Sequence, residues 1–247
     1  MKRHVPFAAL RLVRQLRHVP GPGGTIAIGG SRELVPLLAA ELRAGGDGAA
    51  VTEHRADSDA VALVWIGKPD VATLRAASRA NLAIVGLTEG ESLPYVLDTN
   101  IVRVEPGRGL PVQKVAKALA RALGPAGASV AARLPVLRPA VTGALARRTT
   151  IRAGVIGATR LSPNPDFPTL TLNQSLLVVR TALASGRKAN PEALLPELVG
   201  VALAGLAARQ AARKAEVLPL GSVLKGAIAM GGTAAVGALM RRRFRTA

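Results

Sequence analysis

Two glycines, Gly29 and Gly30, follow the short apolar run from Thr25, where nucleotide-binding chains often cradle a phosphate. That chemistry needs a loop of backbone N–H groups with a lysine and a hydroxyl, as in GxxxxGK[ST]. Here Gly29-Gly30-Ser31-Arg32 passes straight into a helix-forming stretch without a lysine, and GxGxxG is absent. The glycines therefore read as a tight strand-to-helix turn. Ser222-Val223-Leu224-Lys225 has the SxxK spacing that places a lysine one helical turn from a serine nucleophile. Its companions SDN and KTG occur nowhere, so Ser222 reads as a helix cap. Asp57 and Asp59 lack a nearby third ligand and read as solvated loop acids. The histidines His4, His18 and His54 are scattered, and there is no cysteine. No catalytic residue, metal site or cofactor is expected from these types and spacings.

The charge is unevenly spread. The whole chain carries 33 Lys/Arg against 15 Asp/Glu, a net of +18. Residues 1–22 hold five basic groups and no acid, 23–124 hold eleven of each, and 125–247 hold seventeen basic against four acidic. A neutral segment beside a basic one points to an anionic membrane surface or a partner protein. Nucleic acid is disfavoured, because the five aromatics Phe7, Trp65, Tyr95, Phe167 and Phe244 are too few to build stacking platforms. No secretory leader is expected, since Arg11, Arg14 and Arg17 interrupt the first apolar positions.

Residues 5–18 form an amphipathic pattern with Arg11, Arg14, Arg17 and His18 on one side. Such a helix lies either on an anionic membrane or on the protein's own body. Val19-Pro20-Gly21-Pro22 then breaks it as a linker. From 25 to 124, strands alternate with helices: strands at 25–29, 50–55, 61–66, 82–87 and 100–104, and helices at about 31–44, 71–79 and 111–123. Val61–Ile66 is a continuous apolar run of the kind buried on both faces of a parallel sheet. The pattern predicts a small, doubly wound, Rossmann-like α/β sheet over 23–124.

After Gly124-Pro125 the strand signals vanish, and a glycine-rich all-α bundle is expected over 125–247. Its helices fall at about 139–148, 170–185, 191–214 and 220–243. The last has small residues at 227, 231 and 235, and again at 229, 233 and 237, a spacing that lets helix backbones approach within a chain, between copies or in a membrane. A homo-oligomer built through this helix is one expectation. About fifteen residues separate Lys225 from Arg241-Arg242-Arg243, fewer than a typical span of about twenty. The candidate interaction residues are Arg11, Arg14 and Arg17 at the start, then Asp166, Asn173, Gln174, Arg180 and Lys225. Asn173 and Gln174 are amides within an apolar stretch, and they need partners if buried.

The C-terminal half resembles the bacterial GTPase-associated, YcjF-like domain family. The resemblance is carried by Leu134-Pro135-Val136-Leu137-Arg138-Pro139, Pro163-Asn164-Pro165-Asp166-Phe167-Pro168, Leu170-Thr171-Leu172-Asn173-Gln174, Val178-Val179-Arg180, Leu224-Lys225-Gly226-Ala227-Ile228-Ala229 and Gly232-Thr233, and it spans roughly residues 125–244. It implies a domain without an assigned reaction, joined to or encoded near an Era-type GTPase and membrane-associated in many members. On that analogy the N-terminal half looks like a degenerate GTPase domain. Its segments Ala56–Val64, Ile84–Glu89 and Val104–Leu110 resemble GTPase strands and the final loop, but the P-loop lysine, the DxxG pair and the NKxD pair are missing.

The expected protein is thus a non-catalytic, pseudo-GTPase-like interaction or scaffold protein. It is cytoplasmic and membrane-associated, with a membrane surface or a GTPase as partner. The alternatives are a nucleotide-binding regulator with an unorthodox site and an integral membrane component with a C-terminal helical hairpin.

Overall fold

The computed structural model describes residues 21–54, 58–105, 107–158, 166–187, 193–201, 203–204, 210 and 221–245. The candidate helix over 5–18, with Arg11, Arg14 and Arg17, lies outside them, as does most of the expected helix at 191–214. The elements are β1 (Thr25–Gly30), α1 (Leu34–Arg43), β2 (Val51–Glu53), β3 (Ala60–Ile66), α2 (Val71–Arg79), β4 (Ala83–Thr88), β5 (Ile101–Arg103) and α3 (Val112–Leu123). They are followed by α4 (Gly127–Arg133), α5 (Arg138–Ala158), α6 (Asp166–Ala184) and α7 (Gly221–Arg245). Two compact units result, a sheet unit of residues 20–144 with 183–186 and a helical unit that includes 145–182 and 187–247.

In the sheet unit five strands pair in the order β2-β1-β3-β4-β5, every pair parallel. Side chains alternate between the faces. Ala27, Leu63, Trp65 and Ile84 pack with Leu74 and Ala77 of α2 and with Leu93 on one face. The alternate positions Ile26, Ile28 and Val64 are fully buried, as are Leu38 of α1 and Leu119 of α3, the helices on the opposite side. Helix α2 begins where the sequence places it because the Asp70 carboxylate accepts from the Ala72 and Thr73 N–H groups at 3.0 and 3.4 Å. It also accepts from the Thr73 hydroxyl at 2.7 Å. These bonds, that of the hydroxyl foremost, hold the Asp70 carboxyl below the usual carboxylate range.

Three local features go beyond what the sequence pattern shows. Helix α1 starts at Leu34 with Glu33 in the cap position, and Ser31 does not cap it with its side chain. Instead the Ser31 N–H donates to the Ile66 carbonyl at 2.9 Å, and its own carbonyl accepts from Val35 at 3.0 Å. Second, α5 runs ten residues past Arg148, through Thr149, Thr150, Ile151 and two glycines that lower helix propensity. Third, a short helix, α4, follows Gly124-Pro125 and stays with the sheet unit. Arg133 near its end reaches Asp47 at 2.8 Å and the Gly24 carbonyl at 2.9 Å, and the Asp47 N–H returns to the Arg133 carbonyl at 2.9 Å.

In the helical unit, glycines bring α5 and α7 together. A Cβ on Gly157 would stand 2.8 Å from the Ala229 Cβ, and one on Gly154 would stand 2.5 Å from Met230. At the other end of the pair a Cβ on Gly237 would lie 3.1 Å from the Ala146 Cβ, so the two helices are antiparallel. The core of this unit gathers Val178, Val179 and Ala182 of α6, Leu194, Val201, and Val236, Met240 and Phe244 of α7.

Candidate interaction surface

At the carboxyl ends of β1 and β3 the strand order reverses, and open α/β sheets bind ligands at such a point. Here the end of β1 is held closely against β3. A Cβ on Gly30, at φ +110°, would stand 2.0 Å from the Ile66 carbonyl oxygen, and the Ser31 N–H is already engaged by the same carbonyl. No described lysine follows the turn before Lys68, which lies beyond β3. A cavity of about 230 Å³ does open on the α2 face, with Gly29, His54, Leu63, Trp65 and Thr73 among its walls. It is chiefly apolar, and the Trp65 indole N–H on its wall donates to the Lys68 carbonyl at 2.8 Å. Among the described residues no three His, Asp or Glu side chains cluster as metal ligands. Asp57 lies outside those residues, and Asp59 accepts from the neighbouring Ser58 hydroxyl at 3.4 Å.

The helical unit concentrates charge and exposed apolar surface. Residues 145–182 and 187–247 hold fifteen Lys/Arg against four Asp/Glu, a net of +11, whereas the sheet unit holds thirteen against eleven, a net of +2. Most of the large apolar side chains left exposed belong to the helical unit. Ile151 and Val155 are 51% and 60% exposed on α5, four residues apart. Leu195, Val199 and Leu203 repeat that spacing at 59%, 49% and 61%. On α7, Val223, Met230 and Leu239 are also exposed. The two small-residue rows of α7 separate cleanly: Ala229, Thr233 and Gly237 are buried within the unit, while Ala227, Gly231 and Ala235 face outward.

The sequence candidates fall into distinct places. The Asn173 side-chain amide donates to the Thr149 carbonyl of α5 at 3.1 Å. That of Gln174 donates to the Thr233 hydroxyl of α7 at 3.1 Å, in a fully buried position. The two amides thereby tie α6 to both neighbouring helices. The Gln174 amide oxygen and the Thr171 hydroxyl, one turn apart, are buried without a hydrogen-bond partner among the described residues. Asp166 is the first residue of α6, about 21 Å along the helix from Arg180. Lys225 is half-buried near the start of α7, where its carbonyl lies by Gly157. It is therefore not beside the Gln174–Thr233 bond, which sits two turns further along.

Arg180 is half-buried and makes no ion pair or hydrogen bond among the described residues. Burial, and then the charge of Arg152 on α5, lower its guanidinium from the ordinary arginine value. Sequence reasoning missed Arg152 and the ion pair of Glu197 with Arg243, at 2.8 Å. The Glu197 side chain is only 5% exposed. The signal for this pair was a lone acid inside an apolar helix, Leu194 to Val201, in a unit rich in arginine.

Removing the amide at 174 tests the tie between helices. Gln174→Leu leaves the Thr233 hydroxyl buried without its partner, at a cost of about 1–3 kcal/mol. Asn173→Leu removes a donor to a carbonyl at the half-buried Thr149 and is expected to cost about 1 kcal/mol. Thermal melts of the two purified variants check the order, and equal melting temperatures with wild type would rule the tie out.

Comparison with protein-family models, curated proteins and solved structures finds no match for this chain.

Proposed function

We propose that this chain is a non-catalytic interaction protein that works at the surface of an anionic membrane through its helical unit, with the sheet unit presenting a pseudo-GTPase-like platform to a partner. The observation that carries the reading is the joint occurrence, in one unit, of a net +11 charge and regularly spaced exposed apolar residues on α5, on 195–203 and on α7. Aliphatic side chains held in water at four-residue spacing, beside arginines, suit the boundary between headgroups and acyl chains. The Rossmann-like, degenerate GTPase reading of the sheet unit is supported by the parallel order β2-β1-β3-β4-β5 and by the turn after β1, which carries no lysine. The resemblance to the GTPase-associated family supports a GTPase as the partner.

The membrane reading is tested by sedimenting the full chain with vesicles. Binding to phosphatidylglycerol vesicles that weakens as salt rises, with little binding to phosphatidylcholine, is the expected result. Absence of binding to either would overturn it. For the platform reading, titration with magnesium and GTP or ATP should release no heat of binding. A saturable heat would instead establish the nucleotide-binding alternative.

One observation favours a second reading, an integral membrane component. Val223–Phe244 of α7 is 22 residues long with a mean hydropathy of 1.5, long and apolar enough to cross a bilayer, although 33% of its most apolar window is buried inside the unit. Alkaline carbonate washing of membranes separates the two: a peripheral protein is released, and an integral one stays in the pellet.

A further inference from the structure

We propose that the open side of the seam between α5 and α7 is the face that meets an anionic lipid surface, with Ile151, Val155, Val223 and Met230 at the acyl boundary and the cations of the two helices among the headgroups. This rests on the membrane reading above and names the contact surface that would serve it. The seam is set by close packing of antiparallel helices, with Met230 against Gly154, Ala229 against Gly157 and Gly237 against Ala146. One side of it is closed by α6, whose Asn173 and Gln174 amides reach Thr149 of α5 and Thr233 of α7. The other side is open. From the contacts at Gly154 and Gly226, Ile151 and Val155 on α5 and Val223, Ala227 and Ala234 on α7 are turned by about 60–100° in the same rotational sense. On antiparallel helices such turns lead to one side of the seam, so these residues share a surface with Met230. All of them are exposed, Val155 and Val223 at 60% and 64%.

The charge pattern decides what covers this face. From Gly226 to Met240, about 22 Å of helix, the sequence holds no charged residue, and its one polar side chain, Thr233, is fully buried. Lys225 precedes that run and Arg241-Arg242-Arg243 follows it, while α5 adds the exposed Arg147, Arg148 and Arg152. Neither helix carries an acid. A second copy laid along this face would set cation against cation in either direction, because both ends of the α7 run are basic. Anionic headgroups over acyl chains match the cationic rim and the apolar centre together, as an interfacial contact requires.

The test uses the full chain, which has no cysteine, so Val155→Cys and, as a reference on the sheet unit, Leu97→Cys can each carry a single environment-sensitive fluorophore. On phosphatidylglycerol vesicles the label at 155 should shift to the blue and be quenched by lipids brominated on their acyl chains, and the label at 97 should do neither. In sedimentation, Val155→Glu/Val223→Glu should bind the same vesicles about tenfold or more weakly than wild type. Val71→Glu/Leu97→Glu makes the same change of charge on the sheet unit and should bind within about twofold of wild type. All of these positions are exposed, so the variants should melt as wild type does. Vesicle binding by wild type with neither a blue shift at 155 nor a loss in Val155→Glu/Val223→Glu would overturn this face and leave the membrane reading intact. Failure of the wild type to bind vesicles would overturn both. A lipid-free dimer in analytical ultracentrifugation that Val155→Glu/Val223→Glu dissolves would assign the face to a second copy and overturn lipid as its occupant.

Discussion

Gly30→Ala is expected to prevent the sheet unit from folding stably, at a cost of about 4 kcal/mol or more. The new Cβ would meet the Ile66 carbonyl oxygen at 2.0 Å and its backbone N and C at 2.8 Å, atoms of a central strand that cannot swing aside. The backbone at this position has φ +110°, which an L side chain rarely adopts, so strain adds to the overlap. Relieving the clash would break the Ser31 N–H bond to Ile66 and part β1 from β3 at the middle of the sheet. A neighbouring control is Gly45→Ala. It also has positive φ (+67°) but nothing within 4 Å, and should cost only the local strain, about 1–2 kcal/mol. Denaturant titration of both variants measures the difference. Near-wild-type stability for Gly30→Ala would mean that the β1–β3 junction is looser than its geometry requires.

The second large effect concerns membrane binding. Replacing Leu195, Val199 and Leu203 together by serine should weaken partition into anionic vesicles roughly a hundredfold. About half of each side chain already lies against protein, so inserting the rest contributes about 1 kcal/mol per residue rather than the full transfer energy. The adjoining buried positions, Leu194, Glu197 and Val201, are untouched, so the melting temperature should shift little. A triple variant that melts as wild type yet binds vesicles equally well would remove this row from the interface and leave the face of α5 and the outward side of α7 to account for binding.

The strands of the sheet unit and the helices α1, α2 and α3 were legible in local patterns of the sequence. Period-two and unbroken apolar runs mark β1 and β3, and the apolar stripe of Val115, Leu119 and Leu123 marks α3 because a helix must bury one side. Helix α2 was expected at 71–79, and the structure shows that the Asp70 carboxylate caps its start through N–H groups two and three residues on. The absence of a P-loop lysine is a matter of residue type and needs no coordinates.

Longer-range relations were decided only by the tertiary structure. Gly124-Pro125 is a change of composition, yet the compact sheet unit continues to Ala144, because Leu134 and Leu137 are fully buried and Arg133 is tied to Asp47. Ser31 has the chemistry of a cap, but its N–H is claimed by Ile66, thirty-five residues away. Both small-residue rows of α7 fit close helix packing equally well, and only the approach of α5 and α6 buried the row at 229, 233 and 237 and left 227, 231 and 235 outside. Periodicity and capping are written within a turn or two of chain, whereas which faces meet depends on how distant segments compete for the same apolar surface.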